Sequence, residues 1–186
     1  MPFDRNREIK RRCADFRPVR RQLRALGAVR DHVALQIDTL YRLPGRDKNG
    51  PPRRLKLRRE RGTRRLIYYE DTYDEGLRAV RYQIVEVRDE AITRLLEAAL
   101  GISTTVRKRR ERWHLGNTLF NLDRVEGVGP VFEAEVVLGP DEDPDEHVRR
   151  YLTLFGPYLG EALETSNEEL VGRGRLGHGA VDLGRE

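Results

Sequence analysis

The sequence predicts an α+β fold, an eight-stranded antiparallel β-barrel with helices packed on the outside. Three observations predict it. About eight segments have strand character, and they fall into two halves that each run strand, helix, strands. Several strands carry charged residues at positions i and i+2 with apolar residues between, so one face is charged and the other apolar. Helices with apolar stripes need a surface to pack on, and eight strands can close into a barrel that provides one.

The first half opens with a strand and a helix. The helix is predicted over 15–26, where Asp15 can cap its start, Pro18 fits the first turn and Gly27 can end it. Its apolar face consists of Phe16, Val19, Leu23 and Leu26. Residues 44–52 are rich in proline, glycine and polar residues, which is typical of an exposed loop. The strands of this half are predicted at 5–12, 33–43, 53–60 and 64–70, and a strand at 79–87 opens the second half.

The second half repeats this order. Asp89 can cap a helix that Gly101 ends, and its apolar stripe is formed by Ile92, Leu95, Leu96, Ala99 and Leu100. Strands at 104–115 and 118–125 form a hairpin around the Gly116-Asn117 turn, and a last strand follows at 131–138. The acidic segment 141–145 is expected to open a third helix, with a short helix near 157–164. We predict one domain over 1–171 and a mobile tail at 172–186, which glycine and charged residues dominate.

Composition narrows the classes of function. The 186 residues carry a net charge of +5, and 36% of them are charged. This balance favours an anionic partner such as a nucleotide, inorganic polyphosphate or nucleic acid, although a solvated arginine-rich surface has the same composition. The single cysteine, Cys13, excludes an internal disulfide and a multi-cysteine zinc site. No apolar run approaches 18 residues and no signal segment is visible, so we expect a cytoplasmic protein without a membrane span.

The charged strand faces suggest a chemistry. The predicted cations are Lys10, Lys56, Arg58, Lys108 and Arg110, and the predicted carboxylates are Glu8, Asp123, Glu133 and Glu135. Several fixed cations can hold a triphosphate, which carries about four negative charges, and can stabilise the transferred phosphoryl group. Carboxylate oxygens are the ligands that hard divalent ions prefer. A barrel with these groups inside would bind a metal-bound polyphosphate.

The same charged pairs could instead lie on an ordinary solvent-exposed sheet face. A charged pair at i and i+2 usually marks the solvent face of an antiparallel sheet. Here the intervening residues, such as Ile9, Leu57 and Ala134, are apolar, and the pattern recurs on four strands. Since the helices need an apolar outer wall, the charged faces are expected to point inward. The basic run at 106–112 also resembles a nucleic-acid patch, but a strand would divide it between two faces.

The order of these motifs resembles the CYTH superfamily of triphosphate tunnel metalloenzymes, from about residue 5 to 171. Residues 6–10 resemble its ExExK signature, Gln36 and Asp38 its Q-x-D strand, and residues 54–58 its basic third strand. The stretches 106–110, 122–135 and 166–170 resemble its K-x-R strand, its L-D-x-V-x-G-L-G…E-x-E block and its C-terminal box.

The resemblance implies a tunnel barrel and triphosphate chemistry that depends on Mg²⁺ or Mn²⁺. Carried over by position, Glu8, Asp123, Glu133 and Glu135 would lie on the metal side, and Lys10 and Glu8 would be catalytic. The phosphates would be held by Lys10, Lys56, Arg58, Lys108 and Arg110.

Three departures from the family pattern affect these expectations. Asn6 replaces a carboxylate, Tyr69 stands where many members have a tunnel lysine, and Asn167 replaces a tyrosine. The leading hypothesis is hydrolysis of inorganic tripolyphosphate or of an organic triphosphate. Formation of cyclic AMP and pyrophosphate from ATP is an alternative, and a non-catalytic binder of polyphosphate or nucleic acid is another. The protein is expected to act as a monomer or homodimer, with nucleic acid an unlikely partner.

Overall fold

In the computed structural model, residues 4–45, 50–74, 77–137 and 144–177 are described. Their strands close the predicted antiparallel barrel, and the order around it is β1-β5-β4-β3-β2-β6-β7-β8. The strands are β1 (Asp4–Arg12), β2 (Val29–Tyr41), β3 (Arg53–Glu60), β4 (Thr63–Asp74), β5 (Leu77–Glu86), β6 (Ile102–Leu115), β7 (Thr118–Val125) and β8 (Gly129–Val137). The helices are α1 (Phe16–Ala25), α2 (Ala91–Leu100), α3 (Pro144–Phe155) and α4 (Asn167–Gly177). Among these described helices, none has the length and apolar character needed to cross a membrane.

Helix α1 matches its sequence signals. The Asp15 side chain accepts a hydrogen bond from the Arg17 N–H at 2.9 Å, which satisfies a free donor of the first turn. The predicted apolar residues Phe16, Val19 and Leu23 are buried. They join α3 and the outer faces of β1, β7 and β8 in the largest apolar cluster of the described residues. The apolar core therefore lies outside the barrel wall.

Helix α2 also forms, but it buries less of its stripe than predicted. Asp89 accepts a hydrogen bond from the Ala91 N–H at 2.8 Å. Only Leu96 and Leu100 pack against the buried cluster on the neighbouring strands. Ile92 and Leu95 stay 39% and 66% exposed, because a helix on a convex wall meets it along a narrow line.

The C-terminal segment differs most from expectation. The predicted short helix at 157–164 is wrong: a single 3₁₀ turn spans Gly156–Tyr158, and the chain then runs beside β1. Backbone hydrogen bonds of 2.8 Å from Gly160 to Arg12 and of 2.9 Å from Leu163 to Lys10 hold it there. Glycine and proline disfavour a helix, and the end of β1 offers unpaired carbonyl groups instead.

Helix α4 was not predicted. It begins with a capping box in which the Ser166 N–H donates to Glu169 at 3.1 Å and the Glu169 N–H donates to the Ser166 hydroxyl at 3.4 Å. It continues to Gly177, through the first residues of the segment predicted as a tail. Residues 178–186 of that segment, and residues 141–143 of the predicted acidic start of the third helix, lie outside the described residues.

Helix α4 covers one end of the barrel. Its Val171 packs with Leu40, Val106, Val125 and Val131, which close the interior at that end with apolar contacts. We call the opposite end the mouth, where Arg65, Ile84, Arg112 and Leu119 lie. Between the two ends the interior is charged, as the alternation of the strands predicted.

Candidate functional site

The barrel encloses a cavity lined by side chains of all eight strands and of α4. Nine lysine or arginine side chains line it, against five carboxylates. All the predicted site residues except Asp123 line this cavity, and Asp123 is buried just behind its wall. The structure thus brings the whole predicted set together, although its members fall on different walls.

The cations of β3 and β6 form a wall that we call the cationic wall: Lys56, Arg58, Lys108 and Arg110. Each pair contacts one buried carboxylate, Asp38 or Asp123. Arg58 donates to both oxygens of Asp38 at 2.8 and 2.9 Å, while the Lys56 Nζ lies 3.3 Å from Asp38 Oδ2. Burial opposes ionisation of Asp38, but Arg58 and Lys56 outweigh it and hold its pKa well below the usual range.

Asp123 pairs in the same way with the two cations of β6. Its oxygens accept hydrogen bonds from the Lys108 Nζ at 2.9 Å and from the Arg110 Nε at 2.7 Å. The carboxylate is fully buried, because Asp123 lies directly opposite Arg110 in the pairing of β6 with β7. Asp123 therefore contacts two of the cations that are predicted to bind phosphate, whereas the sequence had suggested the metal side. Its role as a metal ligand stays a prediction.

A second wall, formed by β1 and β8, carries the other carboxylates and is called the carboxylate wall: Glu8, Glu133 and Glu135. In the strand register Lys10 lies opposite Glu133, and Glu8 lies opposite Glu135. The Lys10 Nζ is 3.2 Å from Glu133 and 3.4 Å from Glu8. Burial disfavours the Lys10 ammonium, but Glu133 and Glu8 outweigh it and raise its pKa.

The two glutamates of β8 have opposite surroundings. Burial opposes ionisation of Glu133, but Lys10 and Arg110 outweigh it and hold its pKa well below the usual range. At Glu135 burial acts in the same direction as the charge of Glu8, and the two raise its pKa. Among the described residues, Glu133 therefore forms ion pairs with Lys10 and Arg110, whereas Glu135 forms none.

Glu135 is held by amides. The Asn121 Nδ2 donates to it at 2.8 Å and the Asn6 Nδ2 at 3.4 Å. The Asn6 Oδ1 is buried and accepts no hydrogen bond among the described residues. A buried acceptor without a donor beside two facing carboxylates is an arrangement that a hard cation would relieve.

This oxygen donor set fits Mg²⁺ or Mn²⁺, although it is small. In the part of the chain that the structure describes, no group of three or more His, Cys, Asp or Glu side chains is close enough to hold a metal ion. The fit rests on two carboxylates, Glu8 and Glu135, and on one amide oxygen of Asn6. Magnesium commonly uses few protein oxygens and completes its shell with water and substrate phosphates.

Sequence reasoning missed a buried network that joins α4 to the carboxylate wall. Arg54 donates to Asp71 at 2.6 and 2.8 Å and to Glu168 at 2.7 Å. Arg78 in turn donates to Asp71 at 2.9 Å and to Glu8 at 3.4 Å. The position of Arg54, two residues before Lys56, was a usable signal, whereas no spacing connects Glu168 or Arg78 with the site.

Tyr69 occupies the wall where the family pattern suggested a lysine. The Lys56 Nζ lies 4.6 Å from its ring centroid and the Arg54 guanidinium carbon 4.7 Å from it, so the ring makes cation–π contacts with both. Burial raises the Tyr69 pKa to about 12, so the phenol is a neutral donor. Burial and the neighbouring Arg58 lower the Lys56 pKa to about 8, despite the attraction of Asp38.

The structure is thus a closed antiparallel barrel with a cationic wall and a carboxylate wall facing each other inside it. The family model for the CYTH domain matches residues 4–167, so the chain belongs to the CYTH family. None of the curated proteins matches the chain.

Solved structures share the fold. The PH1012 protein from Pyrococcus horikoshii OT3 is 25% identical, with a TM-score of 0.75 over 89% of this chain and 99% of that chain. A proposed adenylate cyclase from Vibrio parahaemolyticus is 18% identical, with a TM-score of 0.69 over 90% of this chain and 97% of its own. The Hippeastrum protein HpAC1, a proposed adenylyl cyclase with a dominant triphosphatase activity, is 17% identical, with a TM-score of 0.61 over 91% and 96% of the two chains.

Proposed function

We propose that this protein hydrolyses a triphosphate with the help of a divalent metal. The observation that carries the proposal is the pair of facing walls inside one cavity, four cations on one side and Glu8, Glu133 and Glu135 on the other. Membership of the CYTH family and the triphosphatase activity of HpAC1 support it. The substrate class is inorganic tripolyphosphate or an organic triphosphate, and the cytoplasm is a compartment that supplies both metal and substrate.

The cationic wall would bind the phosphates. Arg58 and Arg110 can each direct two N–H groups at phosphate oxygens, and Lys56 and Lys108 act as point charges. Asp38 and Asp123 fix these four cations in advance, so little reorganisation is needed when substrate enters. The same two carboxylates partly neutralise the positive charge of the wall. The wall therefore favours a substrate with several negative charges.

Glu8, Glu135 and the Asn6 amide oxygen would hold Mg²⁺ or Mn²⁺. Glu133 can join them only if Lys10 or Arg110 releases it, and Asp123 only if both of its cations do. A bound divalent ion would supply charge stabilisation to phosphate oxygens. The ion would also stabilise the protein, because it would neutralise the repulsion between Glu8 and Glu135.

Lys10 and Glu8 are the proposed catalytic pair. The raised pKa of Lys10 keeps its ammonium charged at neutral pH, so it can stabilise negative charge on the transferred phosphoryl group. The Glu8 oxygen, 3.4 Å from Lys10 Nζ, can accept a hydrogen bond from the attacking water and orient it. The apolar closure around Val171 excludes bulk water from the α4 end.

Cyclisation of ATP is the second candidate. It is favoured by the proposed cyclase activity of the Vibrio and Hippeastrum neighbours. Both reactions need the same cationic wall, but cyclisation directs the ribose 3′-hydroxyl at the α-phosphorus and releases pyrophosphate. A non-catalytic binder would use the walls without turnover.

Product analysis separates these candidates. The protein is incubated with tripolyphosphate, ATP, GTP or thiamine triphosphate and with Mg²⁺ or Mn²⁺, and the products are separated by chromatography. We expect orthophosphate. Cyclic AMP with pyrophosphate would establish the cyclase, and binding without any product would overturn catalysis. Arg109→Ala, on the outer face of β6 beside Arg110, is the matched control for variants of the cationic wall.

A further inference from the structure

The tunnel has a third wall with an uncharged middle section, between Arg65 and Arg78 of the same two strands. This section lies on the inward faces of β4 and β5, where Ile67 pairs with Ile84 and Tyr69 pairs with Tyr82 across the strands. The centroids of the two tyrosine rings are 6.2 Å apart. Val80 continues the same face. We call Ile67, Tyr69, Val80, Tyr82 and Ile84 the apolar wall.

Most of this wall cannot bind phosphate groups. An inorganic polyphosphate is anionic along its whole length. Apart from the two tyrosine hydroxyls, this surface offers it no hydrogen bond and removes water from it. Ile84 is 46% exposed and lies inside the cavity lining, on the same face as Tyr82. Apolar surface left accessible in a polar cavity is typical of a site for an organic group.

The organic group of such a substrate would lie at the mouth of the barrel. Helix α4 covers the other end, so a substrate would enter through the mouth with its phosphates first. Lys108, Arg110 and Arg112 follow one another at every second position of β6 and line the cavity up to the mouth. Among the described residues, Arg112 and Arg65 form no ion pair, which leaves them available to the part of a triphosphate nearest the organic group.

Tyr82 is suited to a contact with an uncharged ring. Burial raises its pKa to about 12, as do Glu135 and Asp4, so its phenol is neutral at physiological pH. An aromatic face next to fixed cations is a general device for holding a nucleobase, because bases stack on aromatic side chains with little sequence preference. Aliphatic Ile67 and Ile84 flank the two rings and complete the surface.

We propose that the apolar wall binds the aromatic heterocycle of an organic triphosphate such as a nucleoside triphosphate. This inference rests on the proposed function and narrows it. Inorganic tripolyphosphate would fill the phosphate positions but leave the apolar wall unused. The residues that determine this preference are Tyr82 and Ile84.

The test compares ATP with tripolyphosphate. Orthophosphate release is measured for the full chain and for Tyr82→Ala, Tyr82→Phe and Ile84→Ser. Val85→Ser is the matched control, because Val85 is 54% exposed on the opposite face of the same strand. We expect the wild-type protein to prefer ATP in kcat/KM, and Tyr82→Ala to raise the KM for ATP about tenfold more than the KM for tripolyphosphate.

The conservative variants sharpen the test. Tyr82→Phe keeps the ring and should retain the ATP preference, Ile84→Ser should reduce it several-fold, and Val85→Ser should leave it at the wild-type value. Equal KM changes for both substrates in Tyr82→Ala, or a wild-type preference for tripolyphosphate, would overturn the inference while leaving the triphosphatase proposal intact. If no substrate is turned over, calorimetric titration with a non-hydrolysable ATP analogue and with tripolyphosphate applies the same comparison, and equal losses of affinity would overturn it.

Discussion

The cationic and carboxylate walls face each other across the tunnel, but they are in different electrostatic states. Each cation pair of β3 and β6 has its own buried carboxylate, Asp38 or Asp123, at hydrogen-bond distance. On the carboxylate wall Glu8 and Glu135 lie opposite each other, and the hydrogen-bond donors to Glu135 within the described part of the chain are two amides. The cations of the first wall are therefore already partly neutralised within the protein, whereas the second wall keeps two facing carboxylates. In the proposed function the fold would preorganise the phosphate site, and a metal ion would bind from solution to the carboxylate wall.

Replacing Asp123 should have the largest effect on the free energy of unfolding, and it tests the cationic wall. Asp123→Ala would leave Lys108 and Arg110 buried without their shared partner, which costs about 3–5 kcal/mol. The free energy of unfolding, measured with urea, reports it. Glu126→Gln removes an exposed carboxylate near the end of β7 and should change stability by less than about 0.5 kcal/mol. Equal stability of Asp123→Ala and the wild-type protein would mean that the cationic wall does not depend on its buried carboxylates.

Glu133→Gln should be the next most damaging change. It leaves Lys10 without one of its two carboxylates and removes a partner of Arg110, so we expect a loss of about 2–3 kcal/mol at pH 7. Because the folded-state pKa of Glu133 is lowered, its stabilisation is present above its usual pKa of 4.5 and is lost as pH falls through the folded value. The wild-type and variant unfolding curves should therefore converge in acid. A difference that stays constant with pH would contradict this charge assignment.

Glu135→Gln should act in the opposite direction. The raised folded-state pKa of Glu135 means that the metal-free protein loses stability as pH rises from 4.5 through the folded value. The uncharged amide avoids that loss, so the metal-free variant should be more stable than the wild-type protein at neutral pH. Chemical unfolding in EDTA measures this. A destabilised variant would show that Glu135 has a positive partner in the folded protein.

The smallest expected effect concerns Asn6. Asn6→Asp adds a carboxylate beside Glu8 and Glu135, so the affinity for Mg²⁺ should rise several-fold because the site gains charge for a hard cation. Isothermal titration calorimetry of the metal alone measures it, and Arg5→Asp on the outer face of β1 is the control for net charge. An unchanged or lower affinity would place the metal away from Asn6.

The same contrast explains how much the sequence could predict. The i, i+2 charges and the intervening apolar residues predicted the barrel and the inward direction of Lys56, Arg58 and Glu133, because side-chain direction in a strand depends only on parity. They could not assign Asp123 to one wall. That depends on the pairing of β6 with β7, which brings Asp123 opposite Arg110.

Features that depend on distant segments were missed. Helix α4 has a weak apolar stripe, and its position at the barrel end follows from contacts of Val171 with Val131 and of Glu168 with Arg54, which lie 40 or more positions away. The apolar wall was also missed. Ile67 and Tyr69 alternate with outward-facing residues, so their sequence pattern does not distinguish them from ordinary strand residues.

The central claim is that triphosphate held by the cationic wall is hydrolysed with a metal held by the carboxylate wall. The most direct test measures orthophosphate release from tripolyphosphate and ATP at saturating Mg²⁺ by the wild-type protein, Glu135→Gln and the control Glu126→Gln. We predict that the wild-type protein and the control release orthophosphate and that Glu135→Gln is at least about 100-fold slower. Full activity of Glu135→Gln, with a folded protein confirmed by its unfolding curve, would contradict the claim.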